Sequence, residues 1–404
     1  MAAPEWLEGG ITAVPGILAS GIYGGIKVSG KKDLALIYSS SPAHAAAVFT
    51  GNQVKGAPVQ VSMEHITGGT IQAIVASSGN SNVCTGEQGV KDARDMAKTV
   101  ADLLRIPQRH VLVASTGVIG QPLPMEKIRA ALPKLVKALS PQGGRNAAEA
   151  IMTTDTRPKE AALRVEVAGR PVTIGGVAKG VGMIEPNMAT MLCFLATDAL
   201  VSREALQPAL RKAVDRSFNR ITVDADQSTS DTVALLANGL AENAPLERGS
   251  RGLRQFSSGL NAITERLARM LVKDGEGGTK VVEIAVRGAR SRKDALAAAR
   301  SVADSLLVKT AINGQDPNWG RLMMALGKSS AKVHAEMVRV WFDDEQVVEK
   351  GQLRSGARLA RVREIMAQPE FTIHVDLGIG AGRERVWTCD LSEEYVRINA
   401  KYTT

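Results

Sequence analysis

The sequence predicts an α/β fold, and three observations carry that expectation. Residues 71–76 form an apolar run of strand length, an amphipathic helix follows, and residues 111–113 form a second strand, so strand, helix and strand alternate. The composition, with 39 glycines and only 3% aromatic residues, demands a core of Val, Ile, Leu, Ala and Met joined by tight turns. Finally, 404 residues with 44% apolar content suffice for two domains, or for one large α/β unit with a smaller lobe.

The elements follow in chain order. The first strand ends in the polar, turn-rich stretch 77–82. Val90, Ala93, Met96, Ala97, Val100 and Leu104 recur at helical spacing after it. The second strand delivers Ser115, Thr116 and Gly117 to its end. Pro133 breaks the next helical stretch, and Gly143-Gly144 precedes a short helix over 147–152. Leu163, Val165 and Val167 alternate into a Gly169-Arg170-Pro171 turn and back through Val172 and Ile174, which is a hairpin pattern. Residues 175–182 read as a flexible glycine-rich segment, and 191–196 as a strand buried on both faces. Helices are expected over 202–218 and 292–307, and strands over 333–342, 371–375 and 383–387. No repeat, linker or compositional boundary divides the chain.

Several function classes lose support at this level. The net charge is +9, yet the basic residues are scattered, and the densest stretch, 287–293, has no aromatic neighbours to stack on bases. The cysteines Cys84, Cys193 and Cys389 are odd in number and far apart, and the five histidines form no HxH or HExxH pair, so neither a disulfide framework nor a metal site is expected. Cys193 reads as a small core residue. Gly378, Gly380 and Gly382 are followed by a strand where a dinucleotide fingerprint needs a helix, and the segment 275–280 ends Gly-Thr-Lys, the wrong order for a P-loop. The N-terminus lacks the charged-then-apolar pattern of a leader, and no run approaches the ~20 apolar residues that span a bilayer. No membrane association is expected, and the location expected is cytoplasmic.

The segment 179–198, KGVGMIEPNMATMLCFLATD, carries the chemistry. A polar Glu185-Pro186-Asn187 turn precedes Thr190, and an apolar strand follows it. A threonine hydroxyl becomes a useful nucleophile only when a base takes its proton. Cutting the chain before the threonine supplies one, because the new α-amine titrates at ~7.7–8.0. On the residues alone, a threonine capping a strand fits the same place.

The segment resembles the self-cleavage site of the glutamate N-acetyltransferase / ornithine acetyltransferase family, which shares its architecture with a D-/L-aminopeptidase family. Further matching blocks are 80–86 (NSNVCTG), 115–120 (STGVIG), 153–156 (TTDT), 226–233 (DQSTSDTV), 275–280, 313–321 (NGQDPNWGR) and 395–404 (YVRINAKYTT). They span most of the chain in family order. The resemblance implies a layered αββα-type sandwich like that of N-terminal-nucleophile enzymes, with a smaller C-terminal lobe. It implies cleavage between Ala189 and Thr190 into an α chain, 1–189, and a β chain, 190–404, which stay interlocked and pair as a heterotetramer of two α and two β chains.

The implied reaction is ping-pong acyl transfer in arginine biosynthesis. Thr190 takes the acetyl group of N-acetyl-L-ornithine as an ester and gives it to L-glutamate. The implied oxyanion donors are the Thr116 hydroxyl and the Gly117 backbone N–H, and the implied substrate contacts are Thr153, Lys179, Thr190, Glu276, Asn399 and Thr404. Lys179 suits an α-carboxylate and Glu276 the ornithine amine. Without the resemblance these read as a strand-end turn, solvated charges and a chain terminus. With it, the C-terminal tail is expected to fold over the site. The motifs at 224–231 and 316–320 read as structural turns. No cofactor is implied; acetyl-CoA is a second donor in the bifunctional members, and no motif here separates those from the monofunctional ones. Two rivals are an amidase that passes the acyl group to water, and a basic nucleic-acid-binding module with no cleavage at Thr190.

Overall fold

The structure is a computed structural model that describes residues 4–185 and 191–401. The chain forms two compact units. One contains residues 4–185, 191–219 and 226–271, and the other 220–225 and 272–401.

In the first unit the elements are β1 (Glu5–Leu7), β2 (Ile17–Ile22), β3 (Leu34–Phe49), α1 (Ala57–His65), β4 (Thr70–Asn80), α2 (Gly86–Leu104), β5 (Val111–Val118), α3 (Met125–Lys137), α4 (Gly144–Ala150), β6 (Lys159–Val167), β7 (Arg170–Lys179), β8 (Leu192–Thr197) and α5 (Arg203–Arg216). After β9 (Ile221–Thr222), which belongs to the second unit, come β10 (Thr232–Ala237) and α6 (Arg251–Lys273), whose last turn passes into that unit. The sheet order is β1-β6-β7-β8-β10-β3-β4-β5, with β2 also paired to β3. Alternation along β3, β4 and β5 explains the layering. Leu34, Leu36, Ala73, Val75, Val111 and Val113 pack with Met96, Val100, Ile128 and Leu132 of α2 and α3. Ala35, Ile37, Ile74, Ala76 and Leu112 join Val177, Phe194 and Leu236 in a second core. On the far side, Gly176 lies against Leu267 of α6, and Gly259 of α6 against Val165 and Ile174. Helices, strands, strands and helices thus succeed one another, as the α/β sandwich requires.

The second unit is the smaller, C-terminal lobe. It adds β11 (Val281–Ala289), α7 (Arg292–Ala303), α8 (Leu306–Asn313), α9 (Trp319–Gly327), β12 (Arg339–Phe342), β13 (Glu345–Glu349), β14 (Gln352–Leu353), α10 (Leu359–Met366), β15 (Glu370–Asp376), β16 (Gly382–Cys389) and α11 (Glu393–Asn399). Its sheet runs β14-β13-β12-β15-β11-β16-β9 over one apolar core.

Several local expectations need correction. The glycine-rich stretch is no flexible loop: Gly175 and Gly176 lie inside β7, where a Cβ at Gly175 would stand 2.4 Å from the Gly10 carbonyl oxygen. Small residues there serve close packing. Pro133 sits within α3 without ending it. The polar residues 77–80 continue β4, because Ser77 and Ser78 hydrogen-bond to the Ser115 hydroxyl and the Ala150 carbonyl. The helix expected over 292–307 is two helices, the second capped by the Ser305 hydroxyl, which accepts from the Val308 N–H. Only 339–342 of the strand expected over 333–342 joins a sheet, because a 3-10 turn occupies Ala335–Met337. Cys193 is fully buried, and burial pushes its thiol pKa far up, which suits a core residue. Among the described residues no helix is long and apolar enough to cross a membrane.

Candidate active site

The parallel strands β4 and β5 end together, and Gly117 makes their close approach. Its φ is +133°, and a Cβ there would lie 2.3 Å from the Gly79 carbonyl carbon, so only glycine fits. The NSNVCTG block fastens this end. Asn80 donates to the Gln121 and Pro122 carbonyls, the Ser81 hydroxyl to the Val118 carbonyl, and the Val83 carbonyl accepts from the Gly120 N–H. Asn82 donates to the Gly89 carbonyl and accepts from the Thr85 hydroxyl. The backbone around Thr116 and Gly117 is thereby tied down.

Lys179, the last residue of β7, is 2% exposed, and its ammonium donates to Thr153 Oγ1 at 2.9 Å and to Thr116 Oγ1 at 3.2 Å. Asp155 lies beside it. Its carboxylate accepts from Lys159 Nζ at 2.6 Å and from the Thr153 and Gly180 N–H groups at 3.0 Å each. Burial opposes its ionisation, but the charges of Lys179 and Lys159 and these hydrogen bonds outweigh burial and hold its pKa at about 2. Lys27, half-buried, donates to the Lys32 and Met152 carbonyls. Burial, reinforced by the Lys179 charge and opposed by Asp33, brings its pKa down to about 8. Lys27, Lys159 and Lys179 thus bring three cations to one buried carboxylate, a region suited to an anionic group.

At the start of β8, Asp231 Oδ1 accepts from the Met191 N–H at 2.7 Å, and the Met191 carbonyl accepts from the Thr232 N–H. Met191 is therefore held through both its N–H and its carbonyl. Burial raises the Asp231 pKa well above the ordinary carboxylate range, against the Met191 hydrogen bond, the Lys179 charge and the Ser228 hydroxyl.

In the second unit, Glu276 is 7% exposed and accepts from Asn399 Nδ2 of α11 at 2.8 Å. The Thr279 and Lys280 N–H groups are both taken by Asp390. The 275–280 loop therefore does not turn those amides toward a phosphate.

Of the residues singled out from the sequence, Thr116, Gly117, Thr153 and Lys179 share the first unit, where Lys179 joins the two threonines. Glu276 and Asn399 meet in the second. Ala189, Thr190 and Thr404 lie outside the described residues. The sequence reading missed Lys27 and Asp155, and took Asp231 for part of a turn. Asp231 carried one signal: it is a carboxylate directly before the wholly apolar run VALLA, with a single threonine between.

The sequence pattern of the ArgJ family matches residues 18–404. The chain is 49% identical over 402 residues to the arginine biosynthesis bifunctional protein ArgJ of Symbiobacterium thermophilum, an alignment covering 99% of this chain and 100% of the relative. The protein of the same name from Geobacter sulfurreducens is 50% identical over 391 residues, 97% of this chain and 100% of its own length. Among solved structures, ornithine acetyltransferase complexed with ornithine from Mycobacterium tuberculosis is 41% identical over 46% of this chain and 98% of that chain, with a TM-score of 0.43. The chain belongs to the ArgJ family.

Proposed function

We propose that this chain is an arginine-biosynthesis acetyltransferase that moves the acetyl group of N-acetyl-L-ornithine to L-glutamate through Thr190. The observation that carries the reading is the buried Lys179 joining Thr116 and Thr153 at the ends of β5 and β7. Such a cation is hard to rationalise in a fold that needs only packing. It suits a site that receives carboxylates and a developing oxyanion.

The mechanism runs as follows. The chain cuts itself between Ala189 and Thr190, freeing the Thr190 α-amine. That amine takes the proton of the Thr190 hydroxyl, and Oγ attacks the acetyl carbonyl carbon of N-acetylornithine. The Thr116 hydroxyl and the Gly117 N–H hold the oxyanion. The C–N bond to ornithine breaks, the amine carries the proton back to the leaving nitrogen, and acetyl-Thr190 remains. The glutamate amine then attacks the ester and leaves as N-acetylglutamate, so each half-reaction has an accessible barrier. The resemblance carries substrate contact to Thr153, Lys179, Thr190, Glu276, Asn399 and Thr404; Lys179 suits an α-carboxylate and Glu276 the ornithine amine.

The two fragments would remain joined. Strands β8 and β10 of the 190–404 chain lie between β7 and β3 of the 1–189 chain and hydrogen-bond to both. Pairing to a heterotetramer, and a cytoplasmic location, complete the proposal.

Intact mass under denaturing conditions tests it. Two fragments, the second beginning at Thr190, and an uncut Thr190→Ala chain support the reading, together with ornithine release dependent on glutamate. Release without glutamate, at the same rate, would select a hydrolase. A second activity, acetylation of glutamate by acetyl-CoA, is favoured by the word bifunctional in the names of the relatives. Free-thiol release that depends on glutamate is its test.

A further inference from the structure

We propose that Lys27 is a second cation of the acyl-transfer site, which positions Thr153 and selects ligands that carry a free carboxylate. The inference rests on the reading of Lys179 and Thr153 as substrate contacts.

Lys27 reaches that site by two independent routes. The loop that presents it is held by Asp33, a fully buried carboxylate that accepts from the Gly24, Ile26 and Lys27 N–H groups. The Asp33 carbonyl accepts in turn from the Ser78 N–H of β4. From this loop the Lys27 stem crosses Gly79, where a Cβ would stand 2.9 Å from Lys27 Cγ, and Gly79 is the residue against which Gly117 packs. By the second route, Lys27 Nζ donates to the Met152 carbonyl at 2.7 Å. That carbonyl belongs to the peptide bond joining Met152 to Thr153, whose hydroxyl accepts from Lys179. Lys179 donates to Thr116 beside Gly117, so the contacts that start at Lys27 close into a ring.

The charges in this ring do not cancel. Lys27, Lys159 and Lys179 stand against two carboxylates, Asp155 and Asp33, and the Asp33 oxygens are already committed to backbone N–H groups. An incoming carboxylate supplies the missing negative charge. The amide of the same ligand does not, and leaves the excess of cations in place.

The groups whose charges reach Lys27 are Asp33 and Lys31 from its own loop, Lys179 of β7, and Asp155. Burial, joined by Lys179 and Lys31 and opposed by Asp33 and Asp155, brings its pKa down to about 8. The preference for a carboxylate is therefore full at pH 7, where Lys27 is protonated, and fades as pH rises through 8. A bound anion draws the pKa back up.

The test uses two inert ligands on the full chain as purified. One is N-methanesulfonyl-L-ornithine, which has no carbonyl where Thr190 would attack, and the other is its carboxamide. Calorimetry gives both Kd values at pH 7 and pH 9 in wild type, Lys27→Met and Lys27→Arg. Wild type is expected to prefer the acid at pH 7 and to lose about fivefold of that preference by pH 9. Lys27→Met, neutral and of similar length, is expected to bind the acid about tenfold more weakly at pH 7, with the amide within about threefold of wild type. Lys27→Arg stays charged at both pH values and is expected to carry its preference unchanged to pH 9. The Thr190 α-amine titrates in the same range but is common to all three chains, so only differences between them count.

Equal weakening of acid and amide in Lys27→Met would overturn the proposal, because a residue that only holds the loop affects both alike. So would an undiminished preference in that variant, or a wild type that binds neither ligand. If Lys27→Met does not fold, Lys27→Arg decides: the same loss of preference between pH 7 and 9 as in wild type would overturn the proposal. Acetyl transfer is judged separately, by glutamate-dependent release of ornithine from N-acetyl-L-ornithine, whatever Lys27 does.

Discussion

Lys179 Nζ lies 3.2 Å from Thr116 Oγ1 and donates to it. A hydroxyl that accepts from a cation is polarised, and its own proton is left to point elsewhere. This is the arrangement expected of an oxyanion donor. Thr116→Val is therefore expected to lower kcat for acetyl transfer by about 10²–10³-fold, while Thr116→Ser stays within a few-fold of wild type. Steady-state ornithine release decides between them, and equal losses in both variants would remove the hydroxyl from the mechanism.

Gly117 makes a backbone claim. At φ +133°, with a Cβ destined for a point 2.3 Å from the Gly79 carbonyl carbon, even Gly117→Ala must push β4 and β5 apart at their ends. The expected result is a folded chain with transfer reduced at least about 100-fold. A Gly117→Ala enzyme with wild-type kcat would show that the β5 end tolerates movement and that no donor is held there.

How much of this was readable in advance depended on the kind of signal. Strand β8 and helix α2 were legible because apolar period and length specify them locally. Residues 77–80 were not, because a strand of serines, glycine and asparagine is stabilised by partners far along the chain, such as the Ser115 hydroxyl and the Ala150 carbonyl. Gly175 and Gly176 misled for the same reason: their smallness serves contacts with Gly10 and Leu195 that no local pattern reveals. At the site, Lys179 and Thr116 came from the family motifs. The buried Asp155 and Lys159 pair, and the Asp231 carboxyl that holds the Met191 N–H, became visible only when burial and hydrogen bonding could be counted.

The pair between Asp155 and Lys159 is wholly buried, with a 2.6 Å contact, so removing one charge leaves the other stranded. Asp155→Asn, measured by denaturant unfolding in the Thr190→Ala background so that one chain unfolds, is expected to cost about 3–5 kcal/mol. The pH dependence has a definite sign. The folded pKa, about 2, is below the ordinary 3.8. The stabilisation is thus fully present above pH about 4 and disappears as pH falls toward 2. The stability gap between Thr190→Ala and the double variant should shrink over that interval. A gap independent of pH from 5 to 2 would assign the loss to packing.

The bond from Asn399 to Glu276 gives the end of the chain a task that terminal residues seldom have. Asn399 belongs to α11, which is further tied by the Ser392 hydroxyl to the Gly277 carbonyl and by Tyr395 to Asp224. Losing the Asn399 amide removes a hydrogen bond to a charged group, worth about 1.5–3 kcal/mol. Asn399→Ala is therefore expected to raise KM for N-acetylornithine by roughly tenfold or more, with kcat less affected. Deleting residues 399–404 is expected to abolish transfer yet leave the cut before Thr190 intact, because the described residues on either side of the cut belong to the other unit. Intact mass and ornithine release on the same sample read both effects. Full transfer activity in the truncated chain would exclude Asn399 and Thr404 from substrate binding, and an uncut truncated chain would mean that the tail is needed for maturation itself.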